Sequence, residues 1–215
     1  MGSVPPSVPC SFCLKELHQT SEHCLVSGAC SAFQDLKVGR HTEIVQKLVQ
    51  FLTTRTSFSH VVSIESPIRP AVFRSNQCIE HNTPDIVVQD PSDGHVLVLD
   101  VTVVMPSRMA HGYSSKMTAY DPLASLIEQQ GHSVQPTSRF TVKPVSCEVV
   151  PVVFSVFGDF HDESFALLKS FVHSSSVADS VIAPFLSASC IAIASCASAV
   201  ASASAKLYGR NRSGS

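Results

Sequence analysis

Residues 84–104 read PDIVVQDPSDGHVLVLDVTVV, and the two apolar runs on either side of Asp90-Pro91-Ser92-Asp93-Gly94 decide the fold. Asp-Pro and Asp-Gly punctuate a turn, and the β-branched runs 85–89 and 95–104 predict the two strands of a β-hairpin. With the turn centred on 91–93, Gln89 pairs with about His95, and counting back places Asp85 opposite Asp100 or its immediate neighbour. Like charges facing each other across a ladder are destabilising. Asp100 also lies inside VLVLDVTVV, where an unpaired buried charge is costly. A divalent cation removes both penalties, because a hard ion such as Mg²⁺ is commonly held by one or two carboxylates together with water and a phosphate oxygen. Without a cation, Asp85 is a turn-edge residue and Asp100 accepts a hydrogen bond from a nearby backbone amide or arginine.

Outward from the hairpin, the apolar residues Val38, Ile44, Val45, Leu48, Val49 and Leu52 recur at helical spacing and predict a helix over 36–52, with Arg40, His41, Glu43 and Lys47 on its exposed face. Arg40 and Glu43 could approach the carboxylate pair, but surface charge is the preferred reading for both. HVVSIE at 60–65 reads as a strand, 109–130 as a helix stopped by Gly131, 140–142 and 147–157 as further strands, and 163–172 as a helix. Helix, strand, hairpin, helix, strand, helix is the order of an α/β fold with a central mixed sheet flanked by helices. No internal repeat is visible.

The ends differ from the middle. Residues 1–9 are rich in Pro and Ser and read as a disordered linker. Four of the eight cysteines fall between Cys10 and Cys30, together with His18 and His23, which fits metal binding in a reducing compartment better than a disulfide framework. Cys10 and Cys13 form a Cys-x2-Cys pair whose two sulfurs can reach one Zn²⁺, with His18, His23, Cys24 and Cys30 all in range to complete it. His23 and Cys30 are preferred, Gly28 letting the chain turn back after a short helix near Thr20. Cys78, Cys147, Cys190 and Cys196 read as buried small hydrophobes. From Val181 to Ala205 no charge occurs, a run long enough to cross a bilayer. Its Ala and Ser content and Pro184 favour a buried or partner-facing helix over a membrane span. The start of the chain has neither the apolar run nor the basic cluster of a signal peptide. Net charge is −2, so the chain as a whole lacks the basic footprint of a protein that holds nucleic acid by its phosphates.

Pro84-Asp85, fourteen intervening residues and then Asp100 in Asp-Val-Thr-Val resemble the PD-(D/E)xK nuclease signature. Ordinary members carry a lysine two positions after the second acidic residue, where this chain has Thr102. The version found in non-LTR retrotransposon proteins takes the lysine from the next helix, with a tyrosine near it, and Lys116 and Tyr120 match that at positions that share one helix face. Those proteins also place a CCHC knuckle before a helix opening with Arg-His-Asn, similar to Cys10, Cys13, His23 and Cys30 followed by Arg40-His41-Thr42. The resemblance covers nearly the whole chain.

It implies a zinc knuckle over 10–35, a restriction-endonuclease-like domain over 36–175 and an Ala/Ser-rich closing helix and tail over 176–215. It further implies a nuclear, Mg²⁺-dependent endonuclease that nicks double-stranded target DNA to prime reverse transcription. Asp85 and Asp100 would hold Mg²⁺, with Lys116 and Tyr120 completing the catalytic set and Zn²⁺ in the knuckle. Element RNA and the reverse transcriptase domain of a parent polypeptide are the further partners implied. Thr83 stands where a basic residue usually precedes Pro-Asp, and Thr42 stands where the motif has Asn. With the low net charge, these leave a second reading, a catalytically inactive nucleic-acid-binding remnant. A membrane-tethered protein anchored by 181–205 is the third.

Overall fold

The computed structural model describes residues 8–9, 16–17, 30–68, 80–133, 139–172 and 178–212. Two short strands, β1 (Val8–Pro9) and β2 (Glu16–Leu17), pair antiparallel, so the last two residues of the expected linker are ladder-bonded. A 3-10 turn at Ser31–Phe33 leads into α1 (Gln34–Arg55). There follow β3 (His60–Ile64), β4 (Ile86–Gln89), β5 (His95–Val104), α2 (Met109–Ser133), β6 (Ser146–Ser155), α3 (Asp162–Ser170) and α4 (Ala178–Arg212). The result is an α/β fold in which a four-stranded mixed sheet, ordered β3-β4-β5-β6, packs with four helices. β3 with β4 and β4 with β5 pair antiparallel, while β6 lies parallel to β5, a pairing that requires a crossover, here α2.

The long strand β5 is largely apolar because both of its faces are covered, with Asp100 the one buried charge along it. Leu97, Leu99, Val101 and Val103 join Ile44, Leu48 and Leu52 of α1, Leu168 of α3 and Ile182, Phe185 and Ile193 of α4 in one core. Val96 and Val98 face the other way and pack with Tyr120, Leu123, Ala124 and Ile127 of α2. Asp100 shares the parity of Val96 and Val98, and period-two alternation therefore aims it at α2.

The hairpin register differs by one residue from the expectation at the turn. Gln89 pairs with Val96 and Ile86 with Leu99, while Asp90 N–H donates to the His95 carbonyl at 2.8 Å. Continued one step, this register sets Asp85 across from Asp100. The turn depends on Gly94, whose φ of +78° lies in the left-handed region and whose added Cβ would come within 2.4 Å of the Lys143 carbonyl. Gly94→Ala is expected to cost about 1–3 kcal/mol in urea unfolding, with a lower midpoint and an unchanged slope.

Four expected features take another form. Residues 140–142 are not a strand. The buried Gln89 side chain satisfies their backbone instead, donating to the Val142 carbonyl at 2.9 Å and accepting from Thr141 N–H at 2.9 Å. A side-chain amide thus replaces a ladder, which β-propensity cannot reveal. Arg40 is 5% exposed and lies beside Cys196 of α4, so it is interior and not surface charge, and burial lowers its pKa. Val38 is the converse, exposed at 52%. Gly131 does not stop α2, which runs on to Ser133.

The uncharged tail forms most of α4. Ile182, Phe185, Ser189, Ala192, Ile193, Cys196 and Val200 are buried at helical spacing, and Phe185 stacks on Phe51 of α1 with ring centroids 5.8 Å apart. Ser180–Ala203 is long and apolar enough to cross a membrane by length and composition, yet one stripe of it closes the core.

Candidate functional site

The acidic residues Asp85 and Asp100 meet at one end of the sheet, and each is fixed by a different device. Asp85 precedes β4, and its Oδ2 accepts the Val101 N–H at 2.6 Å, which ties it to the strand carrying Asp100. Asp100 is 4% exposed. Its Oδ2 lies 2.8 Å from Lys116 Nζ, the ammonium reaching back from the second turn of α2. Tyr120, one turn on, donates its hydroxyl to the Thr83 carbonyl at 3.1 Å and also stands in hydrogen-bonding reach of Asp100. Lys116 Nζ lies 5.9 Å from the Tyr120 ring centroid, within cation–π range. The four residues singled out from sequence, Asp85, Asp100, Lys116 and Tyr120, thus occupy one neighbourhood.

The electrostatics follow from burial. Desolvation first, and the Asp85 charge second, raise the Asp100 carboxyl above the ordinary carboxylate range, against the opposing pull of Lys116 and Tyr120. Burial and the same two carboxylates raise the Tyr120 phenol, which stays protonated at neutral pH and acts as a donor.

Two residues join the site that sequence reading did not assign to it. His41, from the second turn of α1, places Nε2 3.0 Å from Asp85 Oδ2 and Nδ1 3.3 Å from Glu65 Oε1. Glu65 follows β3 with φ +43°, a left-handed conformation uncommon for a residue with a Cβ, and its N–H donates to the Asp85 carbonyl at 2.8 Å. The Arg40-His41-Thr42 motif was the signal for His41, although helical periodicity put both basic residues on a surface. Glu65 gave none, because only the pairing of β3 with β4 brings it to Asp85. Glu43 is exposed.

The hydrogen bond to Asp85 leads the causes that raise the His41 pKa, aided by the charges of Asp85, Glu65 and Asp100 and opposed by burial. A histidine with a raised folded pKa adds stability that is fully present below its unfolded value and is lost as pH rises through the folded one. In metal-free buffer the stability difference between wild type and His41→Ala should therefore shrink as pH rises through the range above the ordinary histidine value of about 6.5. Paired urea titrations across that range read it, and a gap that widens with pH would contradict the assignment.

Of the expected Zn²⁺ ligands, Cys10, Cys13 and His23 lie outside the described residues. Cys30 is buried at the entrance to α1, its carbonyl 3.4 Å from Lys37 Nζ. Of the other cysteines, Cys196 is buried and Cys147 and Cys190 are half-buried, while Cys78 is outside the described residues. Compared with known proteins, the chain matches no family model and no curated protein.

Proposed function

We propose that the chain is a Mg²⁺-dependent DNA endonuclease region of a non-LTR retrotransposon protein, with a restriction-endonuclease-like domain that nicks target DNA to prime reverse transcription. The observation that carries the reading is the meeting of Asp85 and Asp100 at one sheet end with Lys116 2.8 Å from the second carboxylate. The donor set fits a hard cation, since Asp85, Asp100 and Glu65 bring three carboxylates against one lysine and one histidine, and a phosphate would deepen that excess of negative charge. A divalent ion held by Asp85 and Asp100 would supply Lewis-acid activation of a water at neutral pH.

The chain's own groups do the rest. Lys116 sits where its ammonium can neutralise charge developing on a phosphate oxygen. Tyr120 holds the Asp100 and Lys116 heads in place, and His41 with the Val101 N–H aims the Asp85 carboxylate. Cys10, Cys13, His23 and Cys30 are proposed to hold Zn²⁺ in a knuckle. Double-stranded DNA, element RNA, the reverse transcriptase domain of a parent polypeptide and a nuclear location belong to the same proposal.

Conversion of supercoiled plasmid to open circles by the purified chain tests it. Nicking in Mg²⁺ and none in EDTA is expected. Salt-sensitive DNA binding with no cutting would instead favour the inactive nucleic-acid-binding reading, consistent with Thr42, Thr83 and the net charge of −2.

A further inference from the structure

We infer that His41, Glu65 and Asp85 form a second cation position beside the carboxylate pair, one that takes a first-row transition dication through an imidazole nitrogen. The inference rests on the reading of Asp85 as a cation ligand and adds two residues and a metal class to it. One donor atom from each of the three residues lies within 4.8 Å of the other two. Metal–ligand bonds of about 2.1 Å put donors about 3 Å apart at right angles and about 4 Å apart across the ion, so the triad needs little movement to close on one.

Three separate elements deliver the ligands. His41 comes from α1, Glu65 from the end of β3 and Asp85 from the start of β4, and the Glu65 N–H bond to the Asp85 carbonyl, at 2.8 Å, fixes two of them to each other. The left-handed backbone of Glu65 is local strain held at this position. His41 Nε2 is hydrogen-bonded to Asp85 Oδ2 at 3.0 Å, and Glu65 Oε1 lies 3.3 Å from Nδ1 of the same ring. An ion seated there takes the place of the proton that Nε2 shares with Asp85, with that one ring nitrogen and a Glu65 oxygen in its shell. Imidazole suits Zn²⁺, Fe²⁺ or Ni²⁺, whereas Mg²⁺ and Ca²⁺ favour all-oxygen shells; Mn²⁺ shares their taste for oxygen but accepts a mixed shell and reports a bound nitrogen magnetically. Asp85 is common to both positions, so the two ions would be neighbours sharing one carboxylate.

Mn²⁺ bound to the full chain is the probe. Electron spin echo modulation from a coordinated imidazole ¹⁴N is expected in wild type and is expected to vanish in His41→Gln, with Mn²⁺ affinity about 10-fold or more weaker. Glu65→Gln, which leaves the imidazole in place, should keep the nitrogen signal and weaken Mn²⁺ binding by a similar factor. Circular dichroism confirms that each variant is folded. Absence of the nitrogen signal from wild type, or its survival in His41→Gln, overturns the inference even if Mg²⁺-dependent nicking is seen. A nitrogen signal that depends on His41 in a chain that does not nick would leave the cation position standing and remove the endonuclease reading.

Discussion

Asp100→Asn is expected to lower Mg²⁺-dependent nicking by at least about 10³-fold while leaving the thermal midpoint in EDTA unchanged or higher. The two halves of that result come from one fact. Asp100 sits on a strand buried on both faces, 4% exposed, and its charge is held there against desolvation and against Asp85. The asparagine has the same shape, keeps an acceptor for Lys116, whose side chain is 34% exposed and whose ammonium can turn to water, and removes the buried charge, so the fold loses nothing that packing supplies. A cation, in contrast, needs the negative oxygen. A residue kept for the fold alone would show the opposite pattern, with falling stability and no specific loss of metal-dependent cutting.

Lys116→Met is the second large effect, with nicking reduced about 10²–10³-fold. Here stability falls as well. Removing the ammonium leaves the Asp100 carboxylate buried without its 2.8 Å partner, and breaking one side of a buried pair is costly. Because the Lys116 side chain is 34% exposed and water can replace part of it, the expected cost is about 1–2 kcal/mol, short of a fully buried pair. The double variant Asp100→Asn/Lys116→Met should recover most of that loss, as it leaves neither charge alone. Lys116→Arg should recover stability better than activity, since the planar fork cannot set a point charge where Nζ stands. Urea unfolding and nicking rates measured on wild type, Asp100→Asn and these three Lys116 variants separate the two roles.

What the sequence disclosed of this site, and what it hid, follows from how local each interaction is. The hairpin was legible because Asp90 to Gly94 is turn chemistry and the flanking runs are strand chemistry, both written within about 20 residues. Its register slipped by one, since the turn residues alone do not say whether Gln89 or Asp90 opposes His95. Lys116 and Tyr120 were legible through helical spacing. Glu65 was not, because nothing between β3 and β4 in the sequence announces that the end of one strand meets the start of the other. Arg40 misled for a related reason. Periodicity marks a polar residue as exposed, but α4 packs over that side of α1 and encloses it beside Cys196. The tail helix showed its length and its lack of charge, and its buried stripe of Phe185, Ile193 and Val200 became visible only against α1 and the sheet.

If the proposed endonuclease reading holds, Asp85 and Asp100 together bind a divalent ion. Crystals grown in Mn²⁺ and measured at the manganese absorption edge test it most directly. An anomalous peak about 2.2 Å from oxygens of both carboxylates is predicted. No peak there at saturating Mn²⁺, with the Lys116 to Asp100 ion pair unchanged, would contradict it.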